Sequence, residues 1–277
     1  MQKLIFKNTT EVFYHKSGFG LPVILLHGFG EDSSIWNECA RELEKNCLLI
    51  RPELPGSGLS TFFTKENGNV SIEDYADIIY ILLAHEKIEK CILLGHSMGG
   101  YITLAFAKKY GENLLAFGLI NSTAYADGDA QKERRKKSIR IMEKYGPFEF
   151  LQQILPSLFA DHFRETHRDL IEQYVEHAKK FQKETLIQYY RAMMLRPDNT
   201  AVLTQSKVPV LFVCGTDDTA APLDDLLKQM HMPDISYIHI LENTGHKSMF
   251  EAPEKLIRFI IEFKNGIENA TAAEKTK

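Results

Sequence analysis

The segment Gly95-His96-Ser97-Met98-Gly99-Gly100 constrains this chain more than any other. It follows the apolar run Cys91-Ile92-Leu93-Leu94 and precedes Tyr101-Ile102-Thr103-Leu104-Ala105-Phe106-Ala107. That order reads as a buried strand, a very tight turn and a helix. Such a turn holds a serine in strained backbone geometry with its hydroxyl above the sheet. Glycines two before and two after Ser97 remove the Cβ atoms that would collide as strand and helix pass each other. The Met98 amide then falls at a helix N-terminus, where a developing oxyanion is stabilised.

The rest of the chain alternates short apolar runs with longer helical patterns. Strands are expected at Leu4 to Lys7, Glu11 to His15, Pro22 to Leu26, Cys47 to Arg51, Cys91 to Leu94, Ala116 to Ile120, Val208 to Cys214 and Ile235 to Leu241. Val23-Ile24-Leu25-Leu26 and Val210-Leu211-Phe212-Val213 are apolar throughout, not alternating. Such strands are buried on both faces, as in a mostly parallel central sheet with helices on either side. The first two strands read as an antiparallel hairpin at one edge. Ser71-Ile72-Glu73-Asp74 has the pattern of a capping box opening a helix through Ala84. Gly111 suits the end of the helix after Ser97, and Pro222 and Pro253 suit helix starts.

From Ala124 to Arg196 the alternation stops. This stretch carries helical patterns only, including the stripe Leu170, Ile171, Tyr174, Val175, Ala178, Phe181, and the nearly all-apolar Leu186 to Leu195. It reads as a helical cap, residues 124–196, inserted into a core made of 1–123 and 197–265. The remaining residues, 266–277, are expected to be a disordered tail.

Composition narrows the function. The 277 residues carry a net charge of −4, which gives no case for nucleic acid or an anionic membrane as partner. No window approaches twenty apolar residues and the N-terminus has no signal-peptide pattern. Cys39, Cys47, Cys91 and Cys214 form no C-x-x-C pair. Reduced core thiols, a cytoplasmic location and no metal or other cofactor are the expectation. The protein is expected as a monomer or homodimer.

A serine hydroxyl near neutral pH needs a base, usually histidine, and a carboxylate to fix that histidine's tautomer. On a parallel sheet the partners belong just past the ends of later strands, in the order serine, acid, histidine. Gly215-Thr216-Asp217-Asp218 follows one such strand and Asn243-Thr244-Gly245-His246 the next. His246 is the candidate base. Asp217 and Asp218 compete as the acid, and their position alone does not separate them. A second oxyanion donor is expected from the loop after an earlier strand. In His27-Gly28-Phe29-Gly30 the candidate is the Phe29 amide, beside that of Met98. His27 reads as an organiser of its loop and His96 as structural, facing away from Ser97.

Together these segments resemble the α/β-hydrolase superfamily over nearly the whole chain. Gly95 to Gly100 matches its nucleophile elbow, His27 to Gly30 its oxyanion loop, and Pro55-Gly56-Ser57-Gly58-Leu59-Ser60 the loop after the next strand. Gly215 with Asp218 and Pro222 matches the acid loop, and Gly245-His246 through Pro253 the histidine loop. The resemblance implies an eight-stranded, mostly parallel sheet with an inserted helical cap. It also favours Asp218, since the family's acid falls three after the glycine that ends the strand. A serine nucleophile sets the chain apart from haloalkane dehalogenases and soluble epoxide hydrolases, which use aspartate. Arg51-Pro52-Glu53 departs from the family's usual aspartate before the Pro-Gly loop.

Cap aromatics, among them Tyr145, Phe148, Phe150, Phe159, Phe163, Tyr174, Phe181, Tyr189 and Tyr190, join Met193 and Met194. Most read as cap core, with the remainder forming an apolar pocket. The expected activity is therefore a serine hydrolase of the carboxylesterase kind, acting on a small or medium ester with an apolar acyl group. Two alternatives use the same residues: carbon–carbon bond hydrolysis or a cofactor-free lyase reaction, and a small-molecule receptor on a retained triad. The charged run Lys132-Glu133-Arg134-Arg135-Lys136-Lys137 reads as a solvated helix face, with an anion-binding patch that tunes the pocket entrance for anionic substrates as the alternative.

Overall fold

The computed structural model describes residues 1–6, 10–66 and 69–275. Its eight strands are β1 (Gln2–Phe6), β2 (Thr10–Gly18), β3 (Pro22–Leu26), β4 (Leu48–Pro52), β5 (Cys91–His96), β6 (Leu114–Ile120), β7 (Val210–Gly215) and β8 (Ser236–Leu241). They form one sheet in the order β1-β2-β4-β3-β5-β6-β7-β8. β2 is antiparallel to both β1 and β4, and every other neighbouring pair is parallel. All eight expected strands form. Lys7, at the end of the first expectation, lies outside the described residues.

The apolar runs explain the layering. β5 and β7 are buried at every position, which requires cover on both faces. Three helices precede β6: α1 (Asn37–Leu43), α2 (Ile72–His85) and α3 (Met98–Tyr110); α3 packs on β3, β5 and β6, and α2 packs on α3. The capping box forms at the start of α2: Ser71 and Asp74 bond each other's backbone amides. Such a cap contributes about 1 kcal/mol.

Between β6 and β7 the chain is wholly helical: α4 (Asp129–Tyr145), α5 (Pro147–Ile154), α6 (Asp161–Thr166), α7 (Arg168–His177), α8 (Lys183–Leu195) and α9 (Thr200–Thr204). The stripe read along α7 buries Ile171, Tyr174, Ala178 and Phe181. Polar ties fasten this helical stretch to the loops after β3 and β4. Asp32 pairs with both His177 and Lys180 at 2.8 and 2.5 Å. The Tyr189 hydroxyl donates to Pro55 O at 2.9 Å.

After β7 come α10 (Leu223–Leu227), α11 (Ser248–Glu251) and α12 (Pro253–Lys275). Here one expectation is corrected: the stretch from 266 does not leave the fold but continues α12 to Lys275. The cause is that the stripe Leu256, Phe259, Ile260, Phe263 extends one turn further through Ile267, also buried. Lys264 bridges to Glu268 across the same turn at 2.5 Å. Thr276 and Lys277, the end of that expected tail, lie outside the described residues. Among the described residues, no helix is long and apolar enough to cross a membrane. The four cysteines are buried and unpaired.

Because β3, β5, β6, β7 and β8 run parallel, the loops that follow them share one edge of the sheet. The candidate residues all sit on those loops.

Candidate active site

Ser97 has φ 52° and ψ −117°, left-handed backbone for a residue with a Cβ. The surroundings hold it there. Its N–H donates to Ile120 O at 3.0 Å, and the Ser122 hydroxyl donates to its carbonyl at 2.7 Å. A Cβ on Gly95 would lie 2.2 Å from Gly99 C, and one on Gly99 2.7 Å from Leu26 O, so the crossing of strand and helix admits glycine only.

The structure brings three candidates from distant segments together. His246 Nε2 is 2.9 Å from Ser97 Oγ, and His246 Nδ1 is 2.9 Å from Asp218 Oδ2. With a carboxylate on Nδ1 the proton resides there, leaving Nε2 to accept from the serine hydroxyl. Asp218, not Asp217, makes this contact. Asp217 is exposed and accepts from the Thr216 hydroxyl. Asp218 Oδ1 also accepts the Ala220 and Ala221 amides, both at 2.9 Å. Burial opposes ionisation of this carboxyl, but the His246 charge and these hydrogen bonds outweigh it and lower its pKa.

Met98 is the first residue of α3, so its N–H is among the amides a helix leaves unpaired. Phe29 follows Gly28 in the loop after β3. That loop passes so near the elbow that a Cβ on Gly28 would lie 3.0 Å from Ser97 Cβ. His27 organises this loop: its Nε2 accepts the Leu54 amide at 3.0 Å.

A network that sequence reasoning did not find links these loops. Glu31 is fully buried and accepts the Gly28 amide at 2.6 Å. It also contacts His96 Nδ1 at 3.0 Å, and His96 Nε2 lies 2.9 Å from His246 O. Lys247, equally buried, donates to the other Glu31 oxygen, which the Tyr174 hydroxyl approaches at 3.3 Å. Burial alone would raise Glu31, but His96 and Lys247 outweigh it and hold the carboxyl well below its usual range. Burial lowers the His96 pKa despite the pull of Glu31. Asn121, at the end of β6 with φ 49°, was also missed. It donates to Asp218 Oδ2 at 3.0 Å and Gly245 O at 3.1 Å and accepts from Ser248 at 2.7 Å. The available signals were a charged residue inside each motif loop and a polar residue ending a buried strand.

The alpha/beta hydrolase family model matches residues 23–259. This chain belongs to the alpha/beta hydrolase family. Among similar proteins is a 2-hydroxy-6-oxo-6-phenylhexa-2,4-dienoate hydrolase of Comamonas testosteroni, 25% identical over 266 residues, covering 91% of this chain and 90% of that protein. A pimeloyl-[acyl-carrier protein] methyl ester esterase of Aeromonas salmonicida is 24% identical over 256 residues, covering 90% and 97%. Among solved structures, a thermophilic esterase from Thermogutta terrifontis, malate bound, superposes with a TM-score of 0.90 at 27% identity, covering 96% of this chain and 99% of that one.

In this alpha/beta hydrolase, Ser97 and His246 open onto a cavity of about 190 Å³. Its apolar walls include Phe29, Tyr101, Ile154, Leu158, Tyr190 and Met193. Of the aromatics in the helical stretch between β6 and β7, Tyr190 reaches this cavity, whereas Phe150, Phe159, Phe163, Phe181 and Tyr189 are buried. Among the described residues, no cluster of three or more His, Cys, Asp or Glu is arranged to hold a metal ion.

The buried carboxylates set the acid stability. Glu31 and Asp218 have folded pKa values below their unfolded values of about 4, so their stabilisation is complete above roughly pH 5, begins to fall near pH 4 and is fully lost only once pH drops through the lower folded values. Thermal melts are expected to show Tm falling between about pH 5 and 3. Glu31→Gln is expected to flatten that fall and to cost about 3–5 kcal/mol at neutral pH, because it strands the buried Lys247 charge. A neutral variant as stable as the parent would contradict this role for Glu31.

Proposed function

We propose that this alpha/beta hydrolase cleaves a small or medium carboxylic ester through an acyl-enzyme on Ser97. His246 takes the hydroxyl proton as Ser97 attacks the carbonyl carbon and returns it to the leaving alcohol. It then activates the water that releases the acid. Asp218 holds the imidazole in the productive tautomer and stabilises its cation. The Phe29 and Met98 amides receive the oxyanion of each tetrahedral intermediate.

The observation that carries this reading is the 2.9 Å contact between Ser97 Oγ and His246 Nε2, with Asp218 on the opposite ring nitrogen. The esterase relatives agree with it. At about 190 Å³ the cavity is smaller than the few hundred Å³ usual for ligand pockets, which favours short acyl groups. A p-nitrophenyl ester series tests this. Acetate and butyrate are expected to exceed laurate and longer chains in kcat/KM by about tenfold or more. No turnover at any length, in folded protein, would contradict ester hydrolysis.

A second reading draws on the dienoate hydrolase relatives. Their named substrate contains no ester, so its hydrolysis breaks a carbon–carbon bond. Turnover of such a ketone, with esters inert, would favour this reading.

A further inference from the structure

The geometry points to an anion subsite in the Ser97 cavity, built on Arg135, that takes a carboxylate carried by the substrate. It deepens the ester reading above and rests on it. The basic run of α4 is not one solvated face. Arg134, Lys136 and Lys137 are exposed, but the Arg135 side chain is only 12% exposed and, with Gln131 one turn earlier, lines the cavity of Ser97 and His246.

Arg135 is fixed on two sides. Its Nε donates to Asp127 Oδ2 at 2.6 Å, with Nη2 3.4 Å from Oδ1. Its guanidinium lies 5.1 Å from the centre of the Tyr190 ring, which is stacked on Phe29 at 4.1 Å. Among the described residues, Nη1 has no acceptor. A second cavity, of about 240 Å³, shares Tyr101, Gln131, Arg135 and Ala220 with the first, which puts Arg135 at their junction.

The charge count gives the ligand class. Three acids line the two cavities: Glu31, Asp127 and Asp225. Glu31 is paired with Lys247, and Asp225 with Lys228 at 3.2 Å. Asp127 must serve both Arg135 and Arg196, whose Nη1 is 2.7 Å from Oδ1. Arg196 is buried against the Tyr101 ring, and its Nε has no partner. One carboxylate between two guanidiniums leaves one positive charge in surplus, with Arg134 adding another at the exposed rim. Desolvated cations call for paired anions, and a guanidinium edge fits the planar carboxylate. A single surplus charge at the inner position suits a carboxylate. The ligand class is therefore an ester with a free carboxylate a few bonds from the ester carbonyl, as in a dicarboxylic acid hemiester.

Calorimetric titration of the Ser97→Ala protein with monomethyl glutarate and dimethyl glutarate tests this. The monoacid is expected to bind at least ~10-fold more tightly. That preference is expected to vanish in Ser97→Ala/Arg135→Gln, to survive in part in Ser97→Ala/Arg135→Lys, and to weaken with added salt. Equal affinity for the two compounds, or a preference that persists without Arg135, would overturn the subsite. If the glutamine variant does not fold, the two-ligand comparison and the lysine variant decide. Both readouts are of binding. An enzyme that turns over esters without this preference refutes the subsite alone, and one that binds hemiesters without turning over any ester refutes the ester reading alone.

Discussion

Replacing Ser97 with alanine is expected to lower kcat by about 10⁵- to 10⁶-fold on any ester the enzyme accepts, with KM changing far less. On the proposed mechanism, the attacking oxygen is the one part of the site that no neighbour replaces. Two hydroxyls beside the elbow are already occupied: Ser122 donates to Ser97 O and Thr103 to Gly99 O. The cysteines are buried, and burial pushes the Cys47 thiol up to about 11, far from a reactive thiolate. His246→Ala is expected to cost about as much, because a serine without its base is nearly inert. The double variant is expected to fall little further, since the two groups act as one unit. Steady-state rates on p-nitrophenyl butyrate give all three values. Additive losses would mean that Ser97 and His246 do not share a step.

The second large effect separates two adjacent carboxylates. Asp218→Asn is expected to reduce kcat by about 10⁴-fold, because an amide on His246 Nδ1 permits the wrong tautomer. Asp217→Asn is expected to stay within about threefold of the parent, as befits an exposed side chain away from the imidazole. The Ala220 and Ala221 amides, which can donate to the one oxygen an asparagine retains, keep the variant side chain in place, while its NH2 now faces His246 Nδ1 and the Asn121 amide, both donors to the parent carboxylate. A single cooperative melt, lowered by a few degrees for the lost carboxylate contacts, should accompany the lost rate. The reverse ranking, with Asp217 essential and Asp218 dispensable, would overturn the assignment of the acid.

Most of the sheet was legible because its strands announce themselves. Cys91 to Leu94 and Val210 to Val213 are apolar at every position, a pattern that only a doubly covered strand sustains. The elbow was legible for a related reason, since its glycines answer contacts as close as 2.2 Å. The choice of Asp218 over Asp217 was not available from spacing alone, because adjacent loop residues diverge by backbone geometry that sequence does not display. Glu31 and Lys247 escaped notice because a charged residue in a loop reads as solvated by default. Only folding brings them together, 216 positions apart in the chain, into one buried pair. Arg135 was concealed by its neighbours. Within a run of like residues, the one turned inward is set by the rotation of α4 against α8, not by composition. The helix end at Lys275 was missed for want of weight on a single residue, Ile267.

On the proposed mechanism, Ser97 Oγ forms the covalent bond of the acyl-enzyme. Intact-mass and peptide mapping after treatment with a fluorophosphonate test it most directly. One adduct per chain, on the peptide carrying Ser97 and absent from Ser97→Ala, is the expected result. An adduct on another residue, or an active enzyme that the reagent leaves unlabelled, would contradict it.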